Sequence, residues 1–146
     1  MIFNWILVNK FAIGTQLINQ KDQLLLKEKK IISILDLRNE FDLLNINYER
    51  QLNLYQEFDL VKVGLPDHNS KRIATKSEIK NALNKLEKLL LNGPVFMHCH
   101  AAAERSPLIS VAFLIKNKKL DFLQAYEYVK QQNKRTNILI EQLKEI

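Results

Sequence analysis

This sequence predicts an α/β fold, with a central and mostly parallel sheet flanked by helices. Three observations carry that prediction. The runs IISILDL (residues 31–37) and PVFMHC (94–99) are almost continuously apolar, as strands covered on both faces are. Segments of helical period alternate with them, and strand–helix alternation builds a parallel sheet with helices packed on its faces. The chain has 146 residues, 47% of them hydrophobic and 26% charged, which suits one domain over residues 1–146 with a core of ordinary size.

The elements follow in chain order. FNWILVNKFAIG (3–14) reads as two short strands, and IISILDL as a strand buried on both faces. NEFDLLNINYERQLNLYQE (39–57) has no clean period and is expected to be mixed turn and short helix, before a second strand in FDLVKVG (58–64) and a loop GLPDHNS (64–70). TKSEIKNALNKLEKLLLNG (75–93) is the clearest helix. Its Ile79, Ala82, Leu83, Leu86, Leu89 and Leu90 share a face, Thr75 and Glu78 form a capping box, and Gly93 with Pro94 stops it. SPLISVAFLIK (106–116) is apolar all round, which predicts a central helix packed on both sides. Asp121 opens an amphipathic helix through Leu123, Tyr126 and Val129, and a last short helix is expected from about residue 136 to 146.

Composition narrows the classes of function. The single cysteine, Cys99, excludes an internal disulfide framework and a four-cysteine metal cage, and an unpaired thiol suits a reducing compartment, so a cytoplasmic location is expected. The apolar N-terminus has no basic stretch before it, and Asn4, Asn9 and Lys10 interrupt it well short of the roughly 20 residues of a membrane span. Twenty-two Lys and Arg against sixteen Asp and Glu leave a net charge of +6. That charge is spread along the chain, as on a solvated basic surface, and mildly favours anionic partners of many kinds.

VFMHCHAAAERSP (95–107) carries the chemistry. It runs from the end of a buried strand, through a tight loop, into the start of a buried helix. Backbone N–H groups of such a loop and first turn lack partners, and the helix dipole adds about half a positive charge there, so an anion is well received. Pro107 suits the first turn, where its missing N–H costs nothing. A thiol at this position favours the thiolate. Arg105 can return across the loop to grip two oxygens of the anion. A thiolate beneath an anion cradle fits attack on phosphorus, which also needs an acid for the leaving oxygen. Asp67 stands in a loop at the C-terminal end of a neighbouring strand, the edge at which sites of open α/β sheets form.

His98, Cys99, five residues, Arg105 and Ser106 resemble the signature of the cysteine-dependent protein tyrosine phosphatase superfamily, in particular its compact dual-specificity phosphatases. The likeness extends to LPDH (65–68), which places Asp67 where that family's general-acid loop lies, and to the N-terminal strands. The resemblance implies a protein tyrosine phosphatase-like fold and hydrolysis of phosphotyrosine, phosphoserine and phosphothreonine in proteins through a cysteinyl-phosphate intermediate. Under it, Cys99 is the nucleophile. The backbone amides of His100, Ala101, Ala102, Ala103, Glu104 and Arg105, with the Arg105 side chain, hold the phosphoryl oxygens. Asp67 protonates the leaving oxygen and then helps water attack the intermediate. Ser106 hydrogen-bonds the sulfur, and His98 fixes the loop and helps keep Cys99 ionised. It implies neither metal nor cofactor, a phosphorylated protein as substrate, no stable nucleic-acid or membrane partner, and a monomer.

The departures raise a question of their own. The family usually has glycine where this chain has Ala102 and Glu104. A positive φ at Ala102 would cost roughly 1 to 2 kcal/mol, and a carboxylate at Glu104 weakens binding of a dianion unless it points to solvent. The loop also lacks the lysines found in phosphoinositide-selective relatives. Four alternatives follow: a phosphate-binding module without turnover, a phosphatase of RNA or small-molecule phosphates, a sulfurtransferase, and a metal site from His98, Cys99, His100 and His68. In an extended segment the two flanking histidines face away from Cys99, which opposes the metal reading. His68 and His100 are otherwise expected at the substrate edge or surface.

Overall fold

A computed structural model of the chain describes residues 1–67 and 70–146. Its elements are β1 (Phe3–Leu7), β2 (Phe11–Gly14), α1 (Gln20–Glu28), β3 (Ser33–Asp36), a 3₁₀ turn (Glu40–Leu43), α2 (Tyr48–Tyr55), β4 (Asp59–Lys62), α3 (Lys76–Leu90), β5 (Val95–His98), α4 (Arg105–Lys118), α5 (Phe122–Gln132) and α6 (Ile140–Leu143). The strands form one sheet in the order β1-β2-β5-β3-β4, parallel except for the β1–β2 hairpin. This is the mostly parallel α/β architecture that the sequence predicts.

Core packing explains the order. β2, β3 and β5 are buried at every residue, because helices cover both faces of the sheet. Met97, Leu35 and Ile13 meet α3, α4 and α5 on one side, whereas Phe96, Ile34 and Ala12 meet Leu17, Leu26 and Tyr55 on the other. α4 runs through the larger cluster with residues 105–114 all buried, so its all-round apolar sequence is matched by packing on every side. Each of its large aliphatic side chains contributes roughly 1.5 to 3 kcal/mol of burial. The α3 capping box is present, with Thr75 Oγ1 accepting from the Glu78 amide at 3.1 Å, and the chain turns away through Gly93, at φ +137°, two residues beyond the Leu91 C-cap.

Three segments differ from expectation. α1 is unannounced in the sequence, since QKDQLLLKE places three leucines side by side and buries only Leu26 among them. In α5 Leu123 is 57% exposed, and Ala125 and Val129 make the buried contacts. The expected helix from residue 136 is confined to Ile140–Leu143. Residues 133–138 instead form a packed turn with Asn133, Thr136 and Ile138 buried, because side-chain hydrogen bonds there satisfy backbone groups that a helix would use. Among the described residues, no helix is long and apolar enough to cross a membrane.

The parallel register aligns His98 with Gly14 on β2 and with Asp36 on β3. The loops after β3, β4 and β5 therefore leave the sheet at one edge, which is where the site lies.

Candidate active site

β5 delivers His98, fully buried, to the sheet edge, and Cys99 follows at 2% exposure. Burial holds the His98 imidazole down at about 4, against the opposing pull of the Asp36 carboxylate, so the ring is neutral. Its Nδ1 lies 3.1 Å from the Cys99 carbonyl oxygen and its Nε2 lies 3.0 Å from the Tyr55 hydroxyl. Burial raises the Tyr55 phenol to about 12, so Tyr55 donates to Nε2 and Nδ1–H donates to the Cys99 carbonyl. His98 thus grips the loop by hydrogen bonds and carries no net charge beside the sulfur. Both ring nitrogens are taken, and among the described residues no group of three His, Cys, Asp or Glu is set to hold a metal ion.

The loop turns sharply at Ala102, whose φ is +56°, the left-handed conformation that the glycine-like position requires. Among the described residues, the amides of His100, Ala101, Ala102 and Ala103 donate to no protein group. Ser106, in the first turn of α4, places its Oγ 3.3 Å from Cys99 Sγ.

Arg105 is 3% exposed. Its Nη1 and Nη2 donate to the two carboxylate oxygens of Asp42 at 2.7 and 3.0 Å. Nη2 also lies 3.7 Å from Asp67 Oδ2. Burial disfavours the Asp42 anion, but the hydrogen bonds and charge of Arg105 outweigh it, and its carboxyl is held below the usual range. A guanidinium has a second donor edge, formed by Nε and the other Nη2 hydrogen, and among the described residues Nε makes no hydrogen bond. Asp67 is fixed by Ser70, whose hydroxyl accepts from the Asp67 amide at 3.1 Å and reaches Oδ1 at 3.3 Å.

Cys99, Arg105, Asp67, Glu104 and the rim residues His100, Ala101 and Ala103 share a cleft of about 910 Å³. Its outer wall includes Phe41, Leu65, Pro66, Lys71 and Arg72. The fold therefore brings the sequence-predicted Cys99, Arg105 and Asp67 into one cleft, with Ser106 behind the sulfur and the neutral His98 behind the loop. His68 lies outside the described residues. Glu104 takes neither a free nor a solvent-directed position. Its carboxylate does not run to solvent; the residue is 7% exposed, and its Oε1 accepts from Gln142 Nε2 at 2.9 Å.

Asp42 is the site residue that sequence reasoning missed. NEFD (39–42) is a capping box in which Asn39 Oδ1 accepts from the Asp42 amide and Asp42 Oδ2 from the Asn39 amide. The same signal served at Thr75. Combined with the position of NEFD just beyond β3, it marks a turn facing the site.

The dual-specificity phosphatase catalytic-domain family matches residues 15–146. The chain belongs to this family, and through it to the cysteine-dependent protein tyrosine phosphatase superfamily. Over 39 residues it is 46% identical to dual specificity protein phosphatase 5 of Rattus norvegicus and 44% identical to that of Homo sapiens. Each match takes in 27% of this chain and 10% of the relative, so the chain spans about a tenth of the length of the curated relatives it matches. In fold, it is similar to PTPMT1 in complex with PI(5)P (14% identity, 98% and 90% of the two chains, TM-score 0.78). It is also similar to the active form of Tk-PTP (14% identity, 98% and 92%, TM-score 0.79). A third is the human tyrosine phosphatase-like serine/threonine/tyrosine-interacting protein (18% identity, 98% and 93%, TM-score 0.77).

Proposed function

We propose that the chain is a metal-independent phosphatase that hydrolyses phosphate monoesters, phosphotyrosine and phosphoserine or phosphothreonine in proteins, through a cysteinyl-phosphate intermediate. The carrying observation is that Cys99, buried Arg105 and Asp67 line one cleft, with the open amides of residues 100–103 in the loop that joins Cys99 to Arg105. In this reading the amides and the Nε edge of Arg105 hold three phosphoryl oxygens, and the Cys99 thiolate attacks phosphorus. The P–O ester bond breaks while Asp67 gives its proton to the leaving oxygen, which leaves an S–P bond and an alcohol or phenol. Water then attacks phosphorus as the Asp67 carboxylate takes its proton, and the sulfur leaves as thiolate, stabilised by the Ser106 hydroxyl. Orthophosphate is released and the enzyme is restored.

Para-nitrophenyl phosphate with chelator present tests this directly. Hydrolysis inhibited by vanadate is expected, and Cys99→Ser should lower the rate by about 10³-fold or more. Phosphopeptide binding with no turnover above that variant would make the chain a binding module instead. A second reading is a singly phosphorylated inositol lipid. It draws on the fold likeness to PTPMT1 holding PI(5)P and on Lys71 and Arg72 at the cleft; the absence of lysine from residues 99–105 opposes it. Comparing kcat/KM for phosphopeptides and short-chain PI(5)P ranks the two.

A further inference from the structure

Four residues of the C-terminal segment reach back to the loop that holds Cys99. Asn133 Nδ2 donates to the Ala102 carbonyl at 2.7 Å, Arg135 Nε to the Ala101 carbonyl at 3.0 Å, and the Asn137 amide to the Ala103 carbonyl at 2.6 Å. Gln142 Nε2 holds the Glu104 carboxylate. Asn133 is itself locked: its Oδ1 accepts from Asn4 Nδ2 at 2.8 Å, its Nδ2 also donates to Thr136 Oγ1 at 3.0 Å, and the residue is fully buried.

A trans peptide unit points its C=O and its N–H in opposite directions. Three successive carbonyls drawn outward, on residues 101, 102 and 103, therefore turn the amides of 102, 103 and 104 the other way, towards the cleft. His98 does the same two residues earlier, since holding the Cys99 carbonyl orients the His100 amide. The strained φ of Ala102 is secured at its own carbonyl by the buried Asn133.

We propose that Asn133, Arg135, Asn137 and Gln142 form a clamp that sets the anion cradle from behind, with Asn133 its principal positioning residue and Arg135 an exposed secondary one. The clamp lets an alanine-rich loop hold a shape that glycine would reach unaided, and Gln142 keeps the Glu104 carboxylate tied back from an incoming dianion. This inference rests on the phosphatase reading in one respect only, that the cradle binds a tetrahedral oxyanion.

The test uses the full chain, with tungstate as the probe. Tungstate affinity is measured by calorimetry and the kcat and KM of para-nitrophenyl phosphate are measured well below the melting midpoint. Asn133→Asp keeps the side-chain shape but removes the donor to Ala102. It should weaken tungstate and lower kcat/KM about tenfold, and Arg135→Met, which keeps the side-chain length but has no donor for the Ala101 carbonyl, should do so about two- to threefold. Lys134→Ala, which removes the same charge from the neighbouring exposed position without touching a loop bond, should change neither. Amide resonances of residues 100–104 should shift in both clamp variants. If Asn133→Asp lowers the melting midpoint while leaving affinity and kinetics at wild-type values, Asn133 is merely structural and the clamp is overturned. Should that variant not fold, wild-type affinity and amide positions in Arg135→Met overturn it equally. A wild-type chain that binds tungstate without hydrolysing anything sinks the phosphatase reading but leaves the clamp judged on affinity; one that binds no tungstate sinks both.

Discussion

The two walls of the cleft are built differently. The wall from Cys99 to Ser106 is buried except at its rim, with Arg105, Ser106 and His98 at 3% exposure or less, and hydrogen bonds from β5, α2 and the C-terminal segment hold it. The facing wall rests on the 3₁₀ turn and the loop after β4, where Phe41 and Leu44 are 69% and 72% exposed. Asp42 and Asp67 are the charged links from that wall to Arg105. A buried, hydrogen-bonded wall suits the proposed reaction, whose phosphoryl group never varies, whereas an exposed wall with an apolar side chain suits selection among the groups that carry it.

The largest test of this contrast is Asp67→Asn. It removes the proposed proton donor from the open wall while leaving the buried wall intact. We expect kcat to fall about 10²-fold, with the alkaline limb of the pH–rate profile lost. A wild-type profile would mean that the donor lies elsewhere. Next comes Asp42→Asn, which severs the two-oxygen tether of Arg105. Here kcat should fall about tenfold with KM unchanged or lower, because a less well-presented guanidinium loses transition-state contact while one negative charge leaves the neighbourhood of the dianion. A raised KM at constant kcat would refute the tether.

Stability reports chiefly on the buried wall. The His98 imidazole titrates at about 4 in the fold, against 6.5 for an unperturbed group. Between those values the unfolded chain binds a proton that the folded chain refuses. Stability should therefore fall by up to about 1.4 kcal/mol per pH unit as pH drops from 6.5 towards 4, and it should carry no such cost above 6.5. Denaturant titrations across that window should show the slope, and His98→Gln should reduce it; an equal slope in the variant would place the titrating group elsewhere. The lowered carboxyls of Asp36 and Asp42 act in the same direction in the more acidic range, below the carboxylate's ordinary value. The smallest effect belongs to Phe41→Ala on the open wall. It should alter the ratio of kcat/KM between phosphotyrosine and phosphoserine peptides by about threefold, with para-nitrophenyl phosphate turnover little changed. An equal loss on every substrate would show that the 3₁₀ turn serves the chemistry and not the choice.

Much of this was readable from the chain. The strands and the buried α4 declare themselves as nearly continuous apolar runs, and α3 by its helical period with its cap and stop. α1 does not, because a nine-residue helix that buries a single leucine leaves almost no periodic trace. The C-terminal turn was misread as helix because its stability comes from side-chain hydrogen bonds to distant groups, which leave no period at all.

The same division runs through the site. His98, Cys99, Arg105 and Ser106 lie within nine consecutive residues, and one strand–loop–helix turn suffices to bring them together, so local sequence determined that the cysteine, its hydrogen-bonding neighbour and the arginine meet. Asp42 reaches Arg105 across 63 residues, Asn133 reaches Ala102 across 31, and Gln142 reaches Glu104 across 38. Contacts at such separations depend on sheet order, register and the packing of α5 against α4. Only the tertiary structure decided how the arginine is aimed and why an AAAE loop keeps the shape of a cradle.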